Sequence, residues 1–463
     1  MSSLASDIRL DRQMRGPLLS ALLLRLSLMA AAYAATGTRI MTQGDTASYM
    51  EPGRNLLLHG VFATAGQFEI DRTPGYPIFA MFTGMAFDNV LLTATAQIVL
   101  SLLSLLLIRR IANLMYPGRG IGVRAAWLYA FEPLSALYTI RLMPETLFVL
   151  LLLVAIERLL VFQRAGRLRD VAFAGMVLAA ATYVRPVGWY LGFLLAAGLV
   201  LTNGQRSLRW KAPAVLLLTF VPWLGAWQIR NAVETGYNGF SSIVEKNLYF
   251  FQSAEVTAEL QHISLDTEQE KLGYRDESAY LAAHPEQRVW TRPQRLHFMR
   301  TQSTQILAQH PGLYLKTHMM GVGVVAFSPC ASEWLQMLNA YPSAESMPHR
   351  ILNEGIVASA LHILVSHPWV TAAMLFFECL LLILYALAFR GLLSVPHNRL
   401  PAFTLLGVAL YFLLISGGAQ AVGRYRLPVM PVLCIFAAAG IRGFRAKEMR
   451  GHGDPAVQSH CTS

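Results

Sequence analysis

Apolar and polar positions along this chain separate into long blocks. Apolar runs fall at 17–36, 89–108, 121–139, 143–162, 170–184, 187–203, 212–230, 368–389, 400–418 and 427–441. A bilayer core of roughly 30 Å takes about 20 apolar residues of helix, so these runs predict ten spanning helices. Most connections between them are short. Two are long: 37–88 after the first run, and 231–366 between the seventh and the eighth. Within the second, 313–327 is apolar but broken by Lys316, His318 and Gly321, and 356–365 is too short to span. Both are expected in the outer compartment, lying at the interface. Counting both as spans would give twelve without changing the orientation.

Composition narrows the class. The 463 residues are 54% hydrophobic and only 14% charged, with mean hydropathy +0.43. A soluble domain carries roughly 45–50% apolar and about 25% charged residues. A soluble enzyme, a disordered chain and a disulfide scaffold are excluded. The expected fold is an all-α polytopic membrane protein of about ten (10–12) transmembrane helices.

The net charge of +11 could point to nucleic acid, but its distribution points elsewhere. With the N-terminus inside, the inner connections hold Arg9, Arg12, Arg15, Arg109, Arg110, Arg119 and Arg124 in the first 124 residues alone. The short outer turns hold only Arg141, Arg185, Arg424 and Arg426. That is the positive-inside pattern, and no nucleic-acid partner is needed. Both termini are expected inside. Ala32-Tyr33-Ala34 resembles a signal-peptidase site, yet the run before it contains Arg25 and later spans need it for orientation, so it reads as an uncleaved first helix. Of four cysteines, Cys379 and Cys434 lie in spans, Cys461 in the inner tail and Cys330 outside, with no disulfide design and no metal spacing.

The organisation follows: 1–235 as an N-terminal transmembrane module with a long first outer loop at 37–88, 236–366 as an outer helical region, 367–450 as C-terminal transmembrane helices, and 451–463 as a cytoplasmic tail. No GxxxxGK[ST] stretch exists for ATP-driven work, and no internal repeat supports an inverted-repeat transporter. The chemistry is expected on the outer face.

The first outer loop opens with Gly44-Asp45-Thr46-Ala47-Ser48-Tyr49 and closes with Asp71-Arg72-Thr73-Pro74-Gly75-Tyr76-Pro77. A short amphipathic helix after Asp45 would hold that carboxylate at its N-terminal end, near the membrane surface. The Pro-Gly-Tyr-Pro turn would aim Asp71 and Arg72. Further along come Leu142-Met143-Pro144-Glu145-Thr146, Tyr183-Val184-Arg185-Pro186, Pro222-Trp223 with Arg230-Asn231, and Gly423-Arg424-Tyr425-Arg426-Leu427-Pro428. All fall on the outer side.

In this order the motifs resemble the polyprenyl-phosphate-sugar-dependent glycosyltransferases of the C-type (GT-C) membrane fold. The resemblance is to the bacterial branch akin to protein O-mannosyltransferases and lipid A aminoarabinose transferases, and it covers 40–240 and 415–440. It implies transfer of a sugar from a polyprenyl-phosphate donor to a glycolipid, glycan or protein acceptor at the outer face of the bacterial cytoplasmic membrane. Asp45 would be the base, and Asp71 a second acidic residue that orients acceptor or sugar. Arg72 would hold the leaving phosphate, as guanidinium suits bidentate phosphate contacts, with Arg424, Arg426 and Arg230 as further candidates. Tyr49 and Tyr76 are expected at the donor site.

Glu145 and Arg185 are additional candidates, although a carboxylate after Pro144 also suits a helix start as a cap. Glu132 and Glu378 fall inside apolar runs, a costly placement that marks a functional hypothesis. The scattered histidines fit no zinc site. No cofactor is required; Asp45 and Asp71 could recruit a divalent metal, but nothing demands one. A transporter or flippase, or a polymerase or ligase of lipid-linked saccharides, remains the alternative.

Overall fold

The computed structural model describes residues 12–117, 120–202, 207–341, 367–395 and 400–448, with side chains omitted at 202 and 442–448. The predicted segment at 356–365, Cys461 and the 451–463 tail lie outside these residues.

All ten apolar runs fall on helices. The first is α1 (Arg12–Thr36), followed by α2 (Thr46–His59), a two-residue-strand hairpin (Ala63–Thr64 with Gln67–Phe68) and α3 (Gly75–Thr83). Then come α4 (Val90–Met115), α5 (Ile121–Ala130), α6 (Pro133–Leu137), α7 (Glu145–Ala165), α8 (Leu168–Val184), α9 (Trp189–Thr202) and α10 (Leu208–Thr235). Five short or medium helices follow: α11 (Ile243–Asn247), α12 (Ala254–Gln261), α13 (Leu265–Lys271), α14 (Glu277–Ala283) and α15 (Arg292–Gln309). The chain continues with α16 (Pro311–Phe327), α17 (Ala331–Met337), α18 (Pro368–Leu392), α19 (Leu400–Ile415) and α20 (Met430–Glu448).

Among the described residues, five helices are long and apolar enough to cross a membrane by themselves: α1, α4, α10, α18 and the stretch Gly423–Ile441. The other predicted spans are shorter or, like α7 with its two glutamates and two arginines, more charged. The run at 121–139 is two helices. Glu132 follows the end of α5 and turns its carboxylate onto the Leu134 and Ser135 amides (3.0 and 2.6 Å), capping α6 with Pro133 in its first turn. A helix cap therefore replaces the functional reading of Glu132. Arg25 is also accounted for inside the bundle: fully buried on α1, it donates to Ser101 Oγ (3.0 Å) and the Ala130 carbonyl (3.0 Å).

The apolar stretch at 313–327 forms a continuous helix, α16. Its His318 imidazole meets the Leu414 carbonyl at 2.9 Å, and a Cβ at Gly321 would strike the Gly418 backbone at 2.2 Å. It packs on the end of α19 from which the chain runs toward Arg424.

Two cores exist. One is the apolar interior of the long helices. The other gathers Tyr237, Tyr249, Phe250, Tyr280, Leu296 and Met299 from the polar region around Ile70 of the first loop, which is fully buried. Ile70 is thus the apolar peg joining the first loop to α11–α15, and Ser242 N donates to its carbonyl at 2.9 Å.

Candidate active site

Asp45 stands immediately before α2, following Gly44, whose φ of +71° favours glycine. The helix start is anchored by Thr46, whose hydroxyl donates to the Leu142 carbonyl (3.1 Å). The Met41 carbonyl in turn accepts from Leu142 N (2.8 Å). These bonds bring the first loop onto the Leu142–Glu145 motif. Asp45 makes no side-chain cap. Its carboxylate turns instead to two arginines: Arg72 Nη2 lies 3.1 Å from Oδ1 and Arg424 Nη2 2.8 Å from Oδ2.

Arg72 is itself fixed on several sides. Its Nε donates to Ser48 Oγ (2.9 Å) and its Nη1 to Tyr49 Oη (3.1 Å), with the guanidinium 4.5 Å over the Tyr49 ring. Tyr49 rests edge-on against Tyr76 at 5.3 Å. Tyr76 is fully buried and donates to Gln97 Oε1 (2.8 Å). It supports Tyr49 from beneath rather than lining a ligand surface. The α3 start approaches α8 so closely that a Cβ at Gly75 would meet the Tyr183 backbone at 2.7 Å.

Arg424 links to a second carboxylate. Glu145 begins α7 without capping it; its Oε1 lies 3.4 Å from Arg185 Nη1 and 4.0 Å from Arg424 Nε. Glu145 thus occupies the helix start expected for it and pairs with arginines there. Its Oε2 is buried without a hydrogen-bond partner among the described residues. The Tyr425 ring sits between Arg185 and Arg424, 5.6 and 5.5 Å from their guanidiniums. The result is an alternating row: Arg72, Asp45, Arg424, Glu145, Arg185. Burial would raise the Asp45 carboxyl, but the two guanidiniums outweigh it and hold it below the usual carboxylate range.

Asp71 lies apart from that row. Lys246 Nζ (2.6 Å) and Arg292 Nη2 (3.0 Å) pair with it, and Ser242 donates to it. Burial pushes its carboxyl up, but these cations pull it down to about 2. Arg426 and Arg230 also stand outside. Arg426, 2% exposed, donates to the carbonyls of Val325, Ala326 and Ser328. Arg230 donates to the carbonyls of Glu69 and Phe62 (2.7 and 2.9 Å). Both guanidiniums, expected from the sequence at the phosphate, hold backbone here and stand outside the row.

Three residues escaped the sequence reading. Glu69 accepts from the amides of Asp71 (2.6 Å) and Arg72 (3.0 Å), shaping the turn that aims Arg72; an acidic residue three before the arginine was the available signal. Ser48 gave no signal beyond its place one helical turn after Asp45. Glu333, just beyond α16, is half-buried, its carboxyl raised by desolvation and drawn partly back by Arg141. Its signal was an isolated acid in a largely apolar stretch. Among the described residues, no group of three or more His, Cys, Asp or Glu is placed to hold a metal.

Residues 71–227 match the model of the dolichyl-phosphate-mannose-protein mannosyltransferase family, about a third of the chain. The archaeal oligosaccharyltransferase AglB from Archaeoglobus fulgidus, in complex with an inhibitory peptide and a dolichol-phosphate, superposes over 98% of this chain with TM-score 0.53 and 13% identity. This is the GT-C membrane fold.

The apo form of the A. fulgidus oligosaccharyltransferase gives TM-score 0.51 over 97% of this chain at 11% identity. The form tethered to an acceptor peptide carrying the NVT sequon gives 0.52 over 96% at 13%. The chain covers 53%, 53% and 51% of those three, so it spans about half their length. No curated protein sequence matches it significantly. The mannosyltransferase match to part of this GT-C fold begins at Asp71 and takes in Arg72, Glu145 and Arg185, whereas Asp45 and Arg424 lie outside it.

Proposed function

We propose that this chain is an integral membrane glycosyltransferase that moves a sugar from a polyprenyl-phosphate carrier to a glycolipid, glycan or protein acceptor. The observation that carries the reading is the Asp45 carboxylate held between Arg72 and Arg424, residues of the first loop and of the approach to α20. The GT-C fold and the mannosyltransferase match support it. The charge asymmetry of the connections supports an outward-facing site on a bacterial cytoplasmic membrane, with both termini inside.

The chemistry follows from the row of charges. A sugar phosphate donor brings an anion at least as strong a partner for guanidinium as a carboxylate. When its phosphate engages Arg72 and Arg424, Asp45 loses the cations that depress it and becomes the stronger base. It then accepts the proton of the acceptor hydroxyl as that oxygen attacks the anomeric carbon, while the sugar–phosphate bond breaks and its electrons pass to the phosphate. Arg72 and Arg424 stabilise the departing charge. Ser48, Tyr49 and Glu145 keep these arginines in place while they exchange partners. Arg185 backs Glu145. Asp71, closed by Lys246 and Arg292, positions the neighbouring Arg72 and the helices above the site.

The test is sugar transfer by the purified protein from a radiolabelled polyprenyl-phosphate sugar, with Asp45→Asn alongside. The variant is expected to bind donor and fail to transfer. Full transfer by Asp45→Asn would remove the base assignment. Movement of intact donor between leaflets without transfer would replace the enzyme by a flippase.

A further inference from the structure

A groove of about 470 Å³, lined by none of the Asp45 row, runs along the bundle. One wall is α5, with Trp127, Leu128 and Phe131; the facing wall is α18, with Leu381, Leu384 and Leu387. The Trp127 and Phe131 rings stack at 5.9 Å with 4° between their planes, giving a flat side. Along α20 it extends from Met430 to Ile441, about 16 Å at the α-helical rise. The dimensions suit one extended hydrocarbon chain.

The two ends differ in what they offer a head group. At the end near the candidate site stand Arg426, Glu132 and Cys330. Arg426 has both Nη atoms committed to backbone carbonyls and its Nε buried without a hydrogen-bond partner among the described residues, and the Glu132 carboxylate caps α6. At the opposite end stands Arg124, whose Nη1 is buried without a hydrogen-bond partner among the described residues. Gly16 of α1 abuts the Trp127 ring there, and its neighbour Arg15 is exposed, as is Arg12. Tryptophan beside arginines is the pattern of a membrane interface, and clustered basic residues there attract anionic lipid.

We propose that this groove binds an anionic phospholipid, one acyl chain lying between α5 and α18 and the phosphate on Arg124. The site lies at the far end of the bundle from Asp45 and does not depend on the sugar-transfer reading. Its role is to close the seam between the N-terminal helices and α18 with α20.

The test uses the full chain purified in detergent, offered equal amounts of dioleoylphosphatidylglycerol and dioleoylphosphatidylcholine and read by native mass spectrometry. At the free energy of one surface guanidinium toward anionic lipid, the wild type should retain phosphatidylglycerol by about fivefold. Arg124→Gln should equalise the two lipids, Arg124→Lys should keep the preference, and Leu384→Trp, by filling the groove, should remove both adducts. Equal retention by the wild type, or an undiminished preference in Arg124→Gln, overturns the proposal. Displacement of phosphatidylglycerol by equimolar undecaprenyl phosphate also overturns it, assigning the groove to the carrier chain instead.

Discussion

Asp45 and Asp71 belong to the same loop, each is gripped by two cations, and both carboxyls are held below the ordinary range. They differ in what their partners are attached to. Arg72 and Arg424 have other supports, in Ser48, Tyr49 and Glu145, so they can release Asp45 and remain where they are. Asp45 is also the more open, with 37% of its side chain exposed against 21% for Asp71. Lys246 and Arg292 come from the helical region packed on Ile70, so releasing Asp71 would undock that region. An ion pair with independently held cations is an exchangeable site; one whose cations are the opposite surface is a clasp.

The largest effect expected is on transfer in Asp45→Asn, a loss of ~10²–10⁴-fold if Asp45 is the base. Asp71→Asn in the same assay should lose less than ~10²-fold, the lower of those two figures. Equal losses would abolish the distinction between site and clasp.

Next come the cations. Arg72→Ala and Arg424→Ala should each cost ~10²–10³-fold in kcat, the scale for removing one donor to a developing oxyanion. Arg72→Lys and Arg424→Lys should recover part of it, since the charge survives and the fork does not. Arg426→Ala and Arg230→Ala should instead act on stability, because their guanidiniums hold carbonyls. A melting temperature unchanged in Arg426→Ala, with donor KM raised, would return Arg426 to the phosphate.

The sequence showed one side of this comparison better than the other. The long apolar runs are the helices of the bundle because hydrocarbon and helix length together leave little freedom. The arginines of the outer turns were visible as violations of the charge trend, and two of them, Arg185 and Arg424, do join the row. What could not be read was partnership. Arg424 and Asp45 are 379 positions apart, and nothing local distinguishes Arg424, which reaches a carboxylate, from Arg426, which turns into carbonyls. Neither Lys246 nor Arg292 sits in a motif; each matters through packing around Ile70. Glu132 shows the reverse case, where an acid in an apolar run was a cap signalled by the proline after it.

A smaller effect is expected in stability. Asp71→Asn leaves Lys246 and Arg292 facing a neutral amide, at a cost of about 1–2 kcal/mol given that Lys246 is more than a third exposed. The melting temperature should fall, and trypsin should cut faster between α10 and α16 than in Asp45→Asn. The same cleavage rate in both variants would mean that Asp71 does not fasten this region.

The smallest effect separates the two carboxylates by pH. Asp71 is depressed to about 2 in the fold against ~3.9 in an unfolded chain. Its contribution is therefore complete above about pH 4 and disappears as pH falls toward 2, at most about 2.6 kcal/mol and less after solvent screening of Lys246. Donor binding should leave that window in place, because a phosphate held by Arg72 and Arg424, as proposed, would not draw on Lys246 or Arg292. Asp45 is depressed in the free protein by the very arginines that the phosphate recruits, so its carboxyl should rise when donor binds. The acid limb of kcat, which reports the donor complex, should then lie at higher pH than the acid limb of kcat/KM, which reports the free enzyme. Superimposable limbs would mean that Arg72 and Arg424 keep their hold on Asp45 through the reaction. Asp45 would then be a second clasp, and the base would have to be sought elsewhere in the row, first at Glu145.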